Sequence, residues 1–141
     1  MATATLRWGV ANVARRPTEH YMSVKLNARG YDHAQQLARE GRVVRDDRDA
    51  WSEHQPSAAQ ENKFIEEHGW TEYSRWHLGV DDEVDEEKKA HYKFPYGDFR
   101  DVHRCAVLSA ESRAGQYKHD DIKQAAAHLH GMLEALAATR R

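Results

Sequence analysis

Cysteine is nearly absent: Cys105 stands alone in 141 residues, so no disulfide can form within the chain and a reducing compartment suits it. No apolar run approaches the roughly 20 residues that a membrane-spanning helix requires. No acid precedes Glu19, but no apolar stretch follows Arg15-Arg16, so neither a secretory signal nor a transit peptide is read there. Gly-rich phosphate loops, nucleophile elbows and zinc-protease motifs are all missing. These absences lead us to expect a cytoplasmic protein with no membrane partner and no cofactor, and they lean against an enzyme.

Four Trp and six Tyr, with 40% apolar and 31% charged residues, place the chain among globular rather than disordered proteins. Its length suits one domain with a self-sufficient core. We expect a basic, loosely ordered arm over residues 1–30 and a single helical domain over 31–141. The net charge of −2 is unevenly spread. Residues 1–45 hold eight Lys/Arg against three Asp/Glu, 46–90 hold five against fourteen, and 91–141 hold eight against six. A basic arm before an acidic middle can contact nucleic acid, or it can fold back and neutralise itself, which is the commoner outcome in small soluble proteins.

Tyr31, Ala34, Leu37 and Ala38 recur at helical spacing and Gly41 supplies a stop, so "YDHAQQLAREG" reads as a short amphipathic helix. The following stretch to Pro56 reads as irregular, with Trp51 turned inward. Ser57 with Gln60 three residues on is a capping box for a second helix, interrupted at Gly69. Trp70, Tyr73 and Trp76 then lie three apart, which predicts a continued or kinked helix whose aromatic stripe belongs to the core. The acidic run after Gly79 fails as a calcium loop, because the sixth and twelfth positions from Asp81 are Glu86 and Tyr92. We read it as a solvated connection.

In the last third, Asp101 is the expected cap of a helix running to Gly115, and Asp121 with Gln124 the expected capping box of another. A connection of about five residues makes the two an antiparallel hairpin. The fold class expected is therefore mainly α: four or five helices, a C-terminal antiparallel helical hairpin, and an extended aromatic segment over 91–99. A minor β-hairpin of Val43-Val44 with Tyr92-Lys93-Phe94 is the weakest element of this reading.

Ten histidines raise the question of a metal. His128 and His130 are two apart and diverge on a helix. His130 with Glu134, and His68 with Glu72, have ligand spacing, but such pairs recur by chance, so no metal site is assigned. On a helix beginning at Asp101, His103 and Cys105 also diverge, and Cys105 reads as a small buried apolar residue rather than a nucleophile.

The densest segment is "HYKFPYGDFRDVHR", residues 91–104. Pro95 and Gly97 suit a turn, and Asp98 and Asp101 can satisfy the helix end that follows. The remaining groups, with Lys93, could surround a small anion. The ligand- or partner-binding candidates are Tyr92, Tyr96, Asp98, His103, Arg104, Arg113 and His119. No catalytic residue and no metal ligand is assigned. The competing reading has Arg113 pairing with an aspartate and pinning the hairpin to the turn.

Residues 61–133, from "ENKFIEEHGWTEYSRWHLGVDDEV" through "YKFPYGDFRDVHR" to "RAGQYKHDDIKQAAAHLHGML", resemble a family of small bacterial proteins, chiefly actinobacterial. More loosely, the second half is similar to segments attached to prohead maturation proteases of tailed phages, through the Tyr-Lys-x-Pro step and the alanine-rich helices. The resemblance implies relatives without an established activity, and no protease motif is present to carry over. Two functional readings follow. The first is a non-enzymatic helical interaction module, phage-related in setting, that binds a protein partner or, through its basic arm, nucleic acid, with homo-oligomerisation compatible. The second is a small ligand-binding protein or enzyme with its site between the "YKFPYGD" turn and the C-terminal hairpin.

Overall fold

A computed structural model describes residues 23–139. The expected arm lies largely outside them, but its last residues build structure: β1 spans Val24–Leu26 and α1 spans Ala28–Arg39. Then come β2 (Val43–Val44), α2 (Trp51–His54), α3 (Ala58–Ser74), β3 (His77–Asp81), β4 (Tyr92–Pro95), β5 (Val102–His103), α4 (Arg104–Gln116) and α5 (Asp120–Thr139).

The architecture is mixed α/β, which corrects the expected mainly helical class. β1, β3 and β4 form an antiparallel sheet with β3 at its centre, pairing Lys25 with Val80 on one side and Gly79 with Lys93 on the other. β2 and β5 form a separate parallel pair, Val43 against Val102 and Val44 against His103. The expected hairpin of Val43-Val44 with residues 92–94 therefore does not form; each segment takes a different partner. The central strand escapes a periodicity search because four of its five residues are buried, so no polar face alternates with an apolar one. Trp76, placed by its spacing on a helical stripe, lies beyond the end of α3.

Several local rules hold. Gly41 (φ 79°) follows α1, where glycine takes a left-handed backbone at no cost. The Ser57 hydroxyl accepts from Gln60 N (3.1 Å) and the Gln60 side chain accepts from Ser57 N (2.8 Å), completing the capping box of α3. Gly69, at φ 87° and ψ 172°, breaks that helix internally. Two expected caps fail. α4 begins at Arg104 rather than after Asp101, and the Asp121 carboxylate binds Leu26 N (2.8 Å) and Ile122 N (2.8 Å), tying α5 to β1.

α4 and α5 form the predicted hairpin, and α1 and α5 pack against the sheet. Leu78, Leu108, Leu129 and Leu133 are sealed in the core, each contributing about 2 kcal/mol of transfer free energy. α1 approaches β3 so closely that a Cβ at Gly30 would sit 1.8 Å from the His77 carbonyl oxygen. Asn27 fixes the same junction, its Nδ2 donating to Ser74 O (2.8 Å) and His77 O (3.0 Å).

Candidate functional site

The loop between β4 and β5 determines what the site residues do. Asp98 accepts from Arg100 N (3.0 Å) and Asp101 N (2.9 Å) through Oδ1, closing a side-chain turn. This turn delays the helix, and His103 becomes its extended N-cap (φ −102°, ψ 123°), with Cys105 in the first turn. Because His103 is not helical, the divergence expected of residues two apart on a helix does not apply. Both side chains instead reach Asp46, on the loop after β2.

Asp46 performs the capping expected of Asp101. Its Oδ1 accepts from Cys105 N (2.8 Å). Its Oδ2 lies 2.6 Å from His54 Nδ1, 2.7 Å from His103 Nδ1 and 3.0 Å from Cys105 Sγ. His54 arrives from the end of α2 and stays partly exposed, whereas the side chains of Asp46 and His103 are each 6% exposed. On the far side of the ring, His103 Nε2 lies 2.9 Å from Asp98 Oδ2. Asp46, His54, His103 and Cys105 each offer one donor atom to a group lying within 4.8 Å.

The electrostatics follow from this crowding. Burial works against an ionised Asp46, but the hydrogen bonds from Cys105, His103 and His54 outweigh it and hold its carboxyl well below the usual range. Burial likewise opposes charge on His103, and the flanking carboxylates of Asp98 and Asp46 overcome it, raising its pKa. Burial, reinforced by the Asp46 carboxylate, pushes the Cys105 thiol up to about 12. As it stands, Cys105 is a thiol and not an activated nucleophile.

A cavity of about 360 Å³ opens between β4 and α4. Tyr92, Lys93, Phe94 and Pro95 form one wall, Ala106, Ala110 and Arg113 the other, and Tyr117 and His119 stand at the end where α4 turns toward α5. A second cavity of about 380 Å³ shares Trp51, Gln55, Ser109 and Arg113 with the first and reaches Cys105 and Arg48. Among the described residues, no ion pair involves Lys93 or Arg113, so the expected Arg113–aspartate lock does not form there. Burial lowers the pKa of His119, which favours its neutral form.

The seven candidates thus separate. Tyr92, Arg113 and His119 meet around the first cavity; Tyr92 also donates to Glu86 O (2.7 Å) and stacks on Trp70. Asp98 and His103 belong to the Asp46 cluster. Arg104 borders it, donating to Glu134 Oε1 (3.0 Å) and Asp46 O (3.2 Å). Tyr96 joins neither group: it is sealed in the core, with its hydroxyl hydrogen-bonded to Arg75 O and to His33 Nδ1. Asp46 and His54 were not among the expected site residues. The only signal of them was their residue types, since they join His103 and Cys105 across some fifty residues of sequence.

No protein-family model, curated protein or solved structure matches the chain.

Proposed function

We propose that this protein binds a small anionic ligand with an apolar body, held in the cavity between β4 and α4. The observation that carries the reading is that Lys93 and Arg113 both line that cavity, each without an ion-pair partner among the described residues, together with Phe94, Pro95, Ala106 and Ala110. Its volume falls within the range of small-molecule sites, and such sites combine an apolar lining with a few polar groups that orient the ligand. A carboxylate or phosphate would lie against the guanidinium, which presents a fork of donors. A planar apolar body would rest on Phe94, Pro95 and Ala110.

Docking of nucleic acid on the basic stretch is less well supported. Of the five cations in that stretch that can be described, Lys25 pairs with Asp82 (2.9 Å), Arg42 pairs with Asp101 (3.6 Å), Arg29 donates to Ser74 Oγ (3.2 Å) and Arg45 donates to Leu133 O (2.8 Å). These four groups are engaged within the fold, two of them by acids, which leaves fewer cations for a phosphate backbone. No helix among the described residues is long and apolar enough to cross a membrane.

Thermal unfolding of the full chain against a panel of aromatic carboxylates and phosphate monoesters tests the proposal. A ligand that binds only the folded state raises stability by about 2.7 kcal/mol at a hundredfold excess over Kd. At least one member of the panel should raise Tm in the wild type and lose that effect in Arg113→Ala. A panel without any shift, or shifts unchanged by that substitution, contradicts the proposal.

A further inference from the structure

We propose that Asp46, His54, His103 and Cys105 form a mononuclear site for zinc or a similar thiol-seeking divalent metal. Three separate segments, the loop after β2, the end of α2 and the start of α4, bring one donor atom each from four side chains to within 4.8 Å. The set comprises one sulfur, two imidazole nitrogens and one carboxylate oxygen, which is the chemistry of tetrahedral zinc and not of magnesium or calcium.

Two further features point to a cation. First, His54 Nδ1, His103 Nδ1 and Cys105 Sγ all converge on the single oxygen Asp46 Oδ2, at 2.6, 2.7 and 3.0 Å. One carboxylate oxygen has two lone pairs for three donors. A central cation resolves this, because all four groups then present lone pairs to it. Bonds of about 2.0–2.3 Å set tetrahedral ligands somewhat more than 3 Å apart. The three spacings to Asp46 Oδ2 need to open by under about 1 Å and the remaining pairs, all within 4.8 Å, to close by about 1 Å or so, and the partly exposed His54 can supply much of that movement.

Second, His103 already has the outer partner typical of a metal-bound imidazole. Asp98 Oδ2 lies 2.9 Å from its Nε2, and Asp98 is itself fixed by the N–H groups of Arg100 and Asp101. A proton held on Nε2 by a carboxylate leaves the Nδ1 lone pair for the metal. Cys105 sits in the first turn of α4 with its Sγ 3.0 Å from Asp46 Oδ2, and a metal taking the place of its proton would supply the positive charge that a buried thiolate beside that carboxylate needs. The second cavity reaches Cys105 and so offers a route from solvent.

The test uses the full chain, stripped with a chelator, titrated with Co²⁺ and then displaced by Zn²⁺. It requires no knowledge of the ligand of the neighbouring cavity. The wild type should saturate at one equivalent, with the intense visible bands of tetrahedral cobalt and a thiolate-to-cobalt charge-transfer band. Cys105→Ser should lose the charge-transfer band, and His54→Ala, altered at a partly exposed side chain, should stay folded by circular dichroism and bind cobalt more weakly. His68→Ala, outside the cluster, should behave as wild type. A folded wild type with no such bands and no stoichiometric zinc overturns the proposal and leaves a hydrogen-bonded knot, as does a His54→Ala protein with wild-type spectrum and affinity.

Discussion

Asp98 Oδ2 and His103 Nε2 lie 2.9 Å apart, five residues along the chain, because the turn closed by Asp98 keeps His103 out of the helix that follows. The same carboxylate shapes the loop and orients the ring, leaving the opposite nitrogen, Nδ1, directed at Asp46. Asp98→Asn keeps the shape of the side chain but removes its charge. Loss of such an outer partner weakens metal binding by roughly 10–100-fold. We expect that loss by competition with a chromophoric chelator, with the cobalt–thiolate band retained. Restoration of binding in Asp98→Glu would separate an effect on the ring from a change in the turn.

The junction of α1 with β3 should be intolerant of a single methyl group. A Cβ at residue 30 would stand 1.8 Å from the His77 carbonyl oxygen, and backbone cannot move aside as a flexible side chain can. Overpacking of this kind costs about 1–3 kcal/mol and more where backbone must shift. Gly30→Ala should lower the urea midpoint by an amount at or above that range. Gly131→Ala, on α5 with nothing within 4 Å of the new atom, should be neutral or stabilising.

His77 should set part of the acid sensitivity. It is buried beside Tyr73 and Tyr92, with Nδ1 3.0 Å from Tyr73 O, and burial pulls its pKa down to about 4. The unfolded chain takes up a proton near 6.5 and the folded one only near 4. The stability contributed by the neutral ring is complete above 6.5 and lost as pH falls through that window, a difference of roughly 3 kcal/mol. Urea midpoints from pH 7.5 to 4 should decline in the wild type and decline less in His77→Gln.

How much of this was legible in the sequence depended on where each signal lay. The Ser57–Gln60 box, the break at Gly69 and the α4–α5 hairpin rest on residues a few positions apart, and the chain kept them. The sheet was missed because β3 is buried on both sides and its partners are short. Placing the cap at Asp101 started α4 two residues too early. That put His103 and Cys105 on diverging helical positions and removed the pair from consideration. The true cap, Asp46, is 59 residues from the amide it satisfies, beyond the reach of any local rule. Of the seven groups expected around an anion, Tyr92, Lys93, Arg113 and His119 line the cavity between β4 and α4, whereas Tyr96, His103 and Arg104 do not.

The most direct measurement of the central claim is a ¹H–¹⁵N titration of the full chain with phenyl phosphate, and with benzoate in parallel. Saturable shifts should concentrate at Lys93, Phe94, Ala110 and Arg113, including the Arg113 side-chain Nε, and should vanish in Lys93→Ala/Arg113→Ala. Spectra that do not change with either probe, or shifts that avoid the β4–α4 cavity, would contradict a ligand site there.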